Sequence, residues 1–163
     1  NRGLEADYAL VAYGGNDSDY DWAAIDADPA GDHRPRTELP AFREKLRHTV
    51  TMLREKGIQP VLMSLPPIDA ARYLAFICRD GLRKERIMDW LGDVQMIYRH
   101  QEMYSDAVTQ LAYAEGLPLI PVREEFLNDH RLMRLIAADG IHLTMPGYER
   151  LFDTLADWLR IRV

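Results

Sequence analysis

Three short, almost unbroken apolar runs, with helix-patterned stretches between them, constrain this 163-residue chain more than any other feature. The first, Ala6–Tyr13, stops at Gly14-Gly15; the second, Ile58–Leu65, stops at Pro66-Pro67; the third is Leu117–Val122. Runs of this length without polar alternation read as strands buried on both faces of a parallel sheet. Between the first two lies a helical stripe of Leu39, Phe42, Leu46, Val50 and Leu53, with Thr37 expected as N-cap and Gly57 as stop. Between the second and third lies another, Val94, Ile97, Gln101, Tyr104, Val108 and Leu111, closing at Gly116. A last stripe of Tyr148, Leu151, Phe152, Leu155, Trp158 and Leu159 is expected to pack as core. Alternating strand and helix predicts right-handed βαβ crossovers in a three-layer α/β/α, flavodoxin-like domain with a parallel sheet, spanning 1–163 as one unit. In such sheets, sites form at the carboxyl ends of the strands.

The remaining segments are less regular. Residues 17–38, rich in Asp, Pro and Gly, read as a long loop with Tyr20 and Trp22 embedded in it, the kind of loop that carries function. Residues 68–92 give no clear period, and 123–136 read as short helical pieces. Net charge is −6, which disfavours a broad nucleic-acid or anionic-membrane surface. No apolar run reaches the ~18–20 residues that span a bilayer. The lone Cys78 forms no internal disulfide and favours a reducing, cytoplasmic compartment, with secretion the alternative. The chain opens on Asn1-Arg2-Gly3, without Met, as a trimmed or cleaved chain would.

Two motifs carry chemistry. The first apolar run ends in Gly14-Gly15-Asn16-Asp17, and Asp139-Gly140-Ile141-His142 precedes the final helix. An Asp three residues before a His builds the base half of a nucleophilic triad: the carboxylate holds one ring nitrogen while the other faces a nucleophile. An Asn just past a strand can donate its amide to a developing oxyanion. Turn chemistry alone would also explain Gly-Gly-Asn-Asp, and a histidine ahead of a helix can be a mere cap. The two motifs together, each at a strand or helix junction, favour a site.

Gly14-x-Asn16-Asp17 after a buried strand, with Asp139-x-x-His142 before the last helix, resembles the SGNH hydrolases, the GDSL-type esterases and acylhydrolases. That family has four short blocks: a Gly-Asp-Ser block with the nucleophile, a later Gly, Gly-x-Asn-Asp, and Asp-x-x-His. This chain matches the last two and so resembles the C-terminal part of the family's domain. The resemblance implies His142 as general base, Asp139 as its orienting acid, Asn16 as oxyanion donor and Gly14 as the small residue of that oxyanion turn. Asp17 would fix the loop, and Tyr20 and Trp22 would line an acyl or sugar pocket or else anchor the loop. It also implies a serine esterase acting on a small ester, with an O-acetylated carbohydrate as the expected substrate and no metal or cofactor. The alternative is a non-catalytic module that binds a glycan or acyl ligand in the same cleft.

The nucleophile block is missing from the match. The chain has three serines: Ser18 directly after Asp17, Ser64 at the end of the second strand, and Ser105 in a helix. Pro66-Pro67 denies Ser64 a strand-to-helix elbow. The reading therefore expects an upstream segment or companion chain to bring the serine and to cover the first strand's edge, leaving this chain inactive alone. Asp17, Asp19 and Asp21 mimic the start of a calcium loop, but Trp22 stands where Gly is needed and Asp28 where Glu belongs. His33, His48, His100 and His130 lack ligand spacing, so no metal is predicted.

Overall fold

The computed structural model describes residues 6–162; the Asn1-Arg2-Gly3 opening lies outside them. Three parallel strands, β1 (Tyr8–Val11), β2 (Gln59–Met63) and β3 (Leu119–Ile120), form a sheet in the order β1-β2-β3. The helices are α1 (Trp22–Ala27), α2 (Leu39–Glu55), α3 (Ala70–Cys78), α4 (Lys84–Leu91), α5 (Gln95–Ala114), α6 (Val122–Leu127) and α7 (Met145–Arg162). The three-layer α/β arrangement predicted from the apolar runs is the one observed, with a small sheet.

The register explains how one strand serves two cores. Leu62 pairs with Val11 and Leu119, while Val61 pairs with Leu10 and Met63 with Ile120. Neighbours in a strand point to opposite faces. Leu62 and Val11 therefore meet Phe42, Leu46 and Val50 of α2 and Tyr104, Val108 and Leu111 of α5. Val61, Met63 and Ile120 face the other way, toward Val122 and Phe126 of α6 and Leu151, Leu155 and Trp158 of α7. A third cluster, built on Trp22, Ile25, Tyr73, Leu74, Ile87 and Ile97, joins α1, α3, α4 and α5 beyond the strand ends.

Several expectations need correction. Residues 17–38 contain α1, capped by Asp21, whose carboxylate accepts from the Ala24 amide at 3.0 Å. Residues 68–92 resolve into α3 and α4; Asp69 caps α3 by accepting from Ala71 and Arg72. Thr37 does not cap α2. Glu38 occupies the N-cap position with no side-chain capping bond, and the Thr37 carbonyl instead accepts the Tyr104 hydroxyl at 2.6 Å. The α7 stripe is only partly core, since Tyr148 (43%), Phe152 (65%) and Leu159 (50%) are exposed. On the same side of the sheet Tyr8 and Leu10 also face outward. No described helix is long and apolar enough to cross a membrane.

Candidate active site

The chain leaves β1 through Ala12 and Tyr13 and turns sharply at Gly14, where φ is +127°. A side chain is strongly disfavoured there. The backbone is one that L-residues rarely adopt, and a Cβ would stand 2.9 Å from a Leu65 methyl. The turn closes by the Ser18 amide donating to the Gly14 carbonyl at 3.0 Å, which leaves Asn16 and Asp17 at its apex. Neither side chain has a hydrogen-bond partner among the described residues. Asp19 is differently placed: it accepts the Tyr73 hydroxyl at 2.7 Å and the Trp22 indole N–H at 2.9 Å, pinning the loop to α3 and α1.

The second motif forms a closed hairpin-like loop. Ile136 and Leu143 bridge antiparallel, and the Ala137 amide donates to the His142 carbonyl at 2.8 Å. Inside it, Asp139 Oδ1 accepts from the Ile141 and His142 amides, both at 3.0 Å. Its Oδ2 lies 2.7 Å from His142 Nδ1. Burial pushes the Asp139 carboxyl up, but the hydrogen bonds from the His142 amide and ring and the Ile141 amide outweigh it and hold the group below the usual carboxylate range. An ionised carboxylate only accepts, so the proton in this contact sits on Nδ1. The His142 side chain is 68% exposed, against 19% for Asp139. This is a fixed acid beneath an open base.

Gly140 sets where that base sits. At φ +82° it lies so close to α3 that a Cβ would meet the Tyr73 amide nitrogen at 2.5 Å, and its carbonyl accepts from the Asp69 amide at 2.8 Å. Arg72 holds the loop's root by donating to the Ile136 carbonyl at 2.8 Å.

Both motifs open on one cavity of about 530 Å³ at the carboxyl ends of β1 and β2. Gly14, Asn16, Asp17 and His142 line it, as do Tyr20 and Trp22. Asp139 stands behind His142 and does not line it. Of the serines, Ser18 lines the cavity with its hydroxyl donated to the Gly15 carbonyl at 2.9 Å. Ser64, expected near the site, is buried beneath it, accepting from the Arg123 amide at 3.0 Å. Ser105 is also buried, its hydroxyl accepting from the Leu65 amide at 3.1 Å.

The sequence profile of the GDSL-like Lipase/Acylhydrolase family matches residues 1–150. The chain belongs to that family. This GDSL-like protein is 23% identical over 118 residues to the isoamyl acetate-hydrolyzing esterase of Saccharomyces cerevisiae, a match covering 72% of this chain and 46% of the yeast protein. It spans, then, about half the length of that curated relative. Two solved structures share its fold. The lipase/acylhydrolase from Enterococcus faecalis superposes with a TM-score of 0.62 at 18% identity, over 96% of this chain and 62% of that one. LAE5, an alpha/beta hydrolase enzyme from the metagenome of Lake Arreo, Spain, gives 0.59 at 18% identity, over 93% and 59%.

Sequence reasoning passed over several residues around the GDSL-like site. Gly140 sits within the Asp-x-x-His motif, yet its contact with α3 is a long-range one that no local pattern announces. Tyr73, Trp90 and His100 line the cavity from helices in or beside the stretch that had no readable period. His100 is half-buried against Tyr20, with 3.3 Å between its Nδ1 and the phenol oxygen. Burial lowers the His100 pKa and raises that of Tyr20 to about 12, so both stay neutral near pH 7.

Proposed function

We propose that this chain carries the base and oxyanion parts of a serine esterase or acylhydrolase acting on a small carboxylic ester. The observation that supports this reading most is the 2.7 Å contact between His142 Nδ1 and Asp139, with His142 opening on the cavity that Asn16 also lines. In this reading a serine hydroxyl attacks the ester carbonyl while His142 Nε2 takes its proton. Asp139 stabilises the imidazolium, and the Asn16 amide donates to the tetrahedral oxyanion across the turn that Gly14 permits. His142 then protonates the departing alcohol, and its second cycle activates the water that releases the acid. The yeast relative, by its name, hydrolyses isoamyl acetate; an O-acetylated carbohydrate, expected from the family resemblance, is another member of the same ester class.

The serine is assigned to a segment that pairs with the free edge of β1. Handedness supports a specific form for it. α2 and α5 cover one face while the chain advances from β1 to β3, so a helix covering the opposite face belongs to a right-handed crossover running the other way. That segment is a strand beside β1, a helix over Tyr8, Leu10 and the outer side of α7, and a further strand. The reversal falls beside Gly14–Asp17, and open α/β sheets bind ligands at such switch points.

Fluorophosphonate labelling of the native source protein, with the adduct located by peptide mass spectrometry, tests the reading. An adduct on a serine outside residues 1–163 is the expected result. Protein that is verified as full-length and folded, yet takes no label, would overturn it in favour of a binding module.

A further inference from the structure

Resting on the ester-hydrolase reading, we infer that the cavity selects neutral esters with a bulky apolar group, and discriminates against acylated sugars and anionic esters. Three observations converge on this. The inner wall is aromatic and aliphatic, made by Tyr20, Trp22, Trp90, Ile68, Ile97 and Ile141. Around Tyr20 the rings pack edge to face on one another, with Trp22 at 5.6 Å and Trp90 at 4.9 Å between centroids. Tilted at 62° and 69° to Tyr20, these rings form an angular apolar wall and not a flat platform for a pyranose ring. At about 530 Å³ the space suits a ligand of drug-like size and far exceeds what an acetyl group fills.

The second observation concerns the polar groups of the wall, most of which are already engaged. Ser18 donates to the Gly15 carbonyl, and Asp19 accepts from Trp22 and Tyr73. Gln101 uses both ends of its amide, on the Pro66 carbonyl and Arg123. Tyr20 and His100 face each other. With Asn16 and His142 given to the reaction, Asp17 and the outer Tyr13 are left to recognise a substrate. A sugar entering this space would lose water from several hydroxyls and regain few hydrogen bonds, and each group left unpaired weakens binding. The third observation is charge. None of the described lining residues is Lys or Arg, and although Arg36 pairs with Asp19 at 3.5 Å, Asp17 has no cation beside it among the described residues. An anionic substrate meets that unneutralised like charge.

Binding is read without turnover on the full-length protein carrying His142→Ala, in which Trp22 and Trp90 line the cavity and report its occupancy. Tryptophan fluorescence is titrated with benzyl acetate, 6-O-acetylglucose and 4-acetoxybenzoate. The expected result is saturable binding of benzyl acetate at least about tenfold tighter than either of the others, equivalent to ~1.4 kcal/mol. Trp90→Ala, checked for folding by circular dichroism and read by Trp22, should weaken benzyl acetate by a similar factor. Asp17→Asn should narrow the gap between 4-acetoxybenzoate and benzyl acetate. Equal or tighter binding of the sugar acetate, equal or tighter binding of the carboxylate, or no saturable change with any of the three would overturn the inference. A failed serine labelling would leave this result standing, and a failed titration would leave the labelling standing.

Discussion

The two faces of the sheet are finished to different degrees. On the α2/α5 side, Leu62, Val50, Val108 and Tyr104 have at most 1% of their surface exposed. On the α7 side Val61, Met63 and Ile120 are buried, and only Gln59 at the start of β2 is exposed on that strand. The cover fails over β1, where Tyr8 is 57% and Leu10 49% exposed beside a helix that shows Phe152 to solvent. Both faces are built from the same strands with the same apolar composition. What differs is whether a crossover lies over them. The sequence pattern of a doubly covered strand therefore reports the surroundings a strand is made for, and β1 is made for a cover that the described residues do not supply. Asn16, just past β1, and His142 line one cavity at that strand's carboxyl end, so in the proposed reading a single added segment would cover the face and bring the nucleophile.

The strongest way to break that explanation is kinetic. Supplying the strand–helix–strand segment should raise ester turnover over the isolated chain by on the order of 10⁶, the scale on which a serine hydrolase depends on its nucleophile. His142→Ala in the completed protein should return the rate to the isolated chain's level, as followed by release of p-nitrophenol. Robust turnover by the isolated chain, lost in Ser18→Ala, would break the comparison outright, since the cavity would then hold its own nucleophile.

A second pair of substitutions sharpens the contrast energetically. Leu62→Ala on the closed face should cost about 2–5 kcal/mol, the range for emptying a packed leucine site. Leu10→Ala on the neighbouring strand, facing the open side, should stay within about 0.5 kcal/mol in the isolated chain. Urea unfolding curves of the two variants check both figures. Similar losses would mean that the open face is covered in solution. A third test follows from the same exposure. Phe152→Ser should leave the unfolding midpoint of the isolated chain nearly unchanged while lowering its self-association in sedimentation experiments, because an exposed apolar strip beside a bare strand edge invites pairing.

These contrasts also show what was legible in the sequence. Unbroken runs such as Val61–Met63 exposed the parallel sheet because burial on both sides erases alternation. The α2 stripe was legible because Phe42, Leu46 and Val50 face one partner surface along their whole length. α3 and α4 were not, since Tyr73, Ile87 and Trp90 pack into a third cluster away from the sheet and meet partners on several sides. Asp139 and His142 could be singled out as a candidate pair because only two residues separate them, and Asn16 because a strand ends beside it. Tyr20 and Trp22 could be named as lining, but Trp90 and His100 could not, because their packing against Tyr20 joins helices far from it in the chain. The exposed part of the α7 stripe was misread for a related reason: periodicity tells which residues share a helix face, and not whether anything lies against it.

The smallest predicted effect concerns a flaw next to the closed face. His100, on α5, packs against Tyr104 at 5.2 Å and Tyr20 at 4.9 Å between ring centroids. Its Nε2 is buried without a hydrogen-bond partner among the described residues. Burial lowers its pKa below the ordinary 6.5. Above pH 6.5 the ring is neutral both folded and unfolded, and its titration costs nothing. As the pH falls below that value the unfolded chain takes up the proton first, so stability drops until the pH has passed the folded-state pKa. Asp139 also stabilises the fold on the alkaline side of its transition, but its window lies below the ordinary carboxylate value of 3.8. The two are thus separable. Between pH 7 and 5 the unfolding free energy of the chain should decline, and His100→Gln should flatten that decline while leaving any loss below pH 4 in place. A slope unchanged by His100→Gln would mean that the ring is solvated in solution and that the wall around Tyr20 opens more than its packing implies.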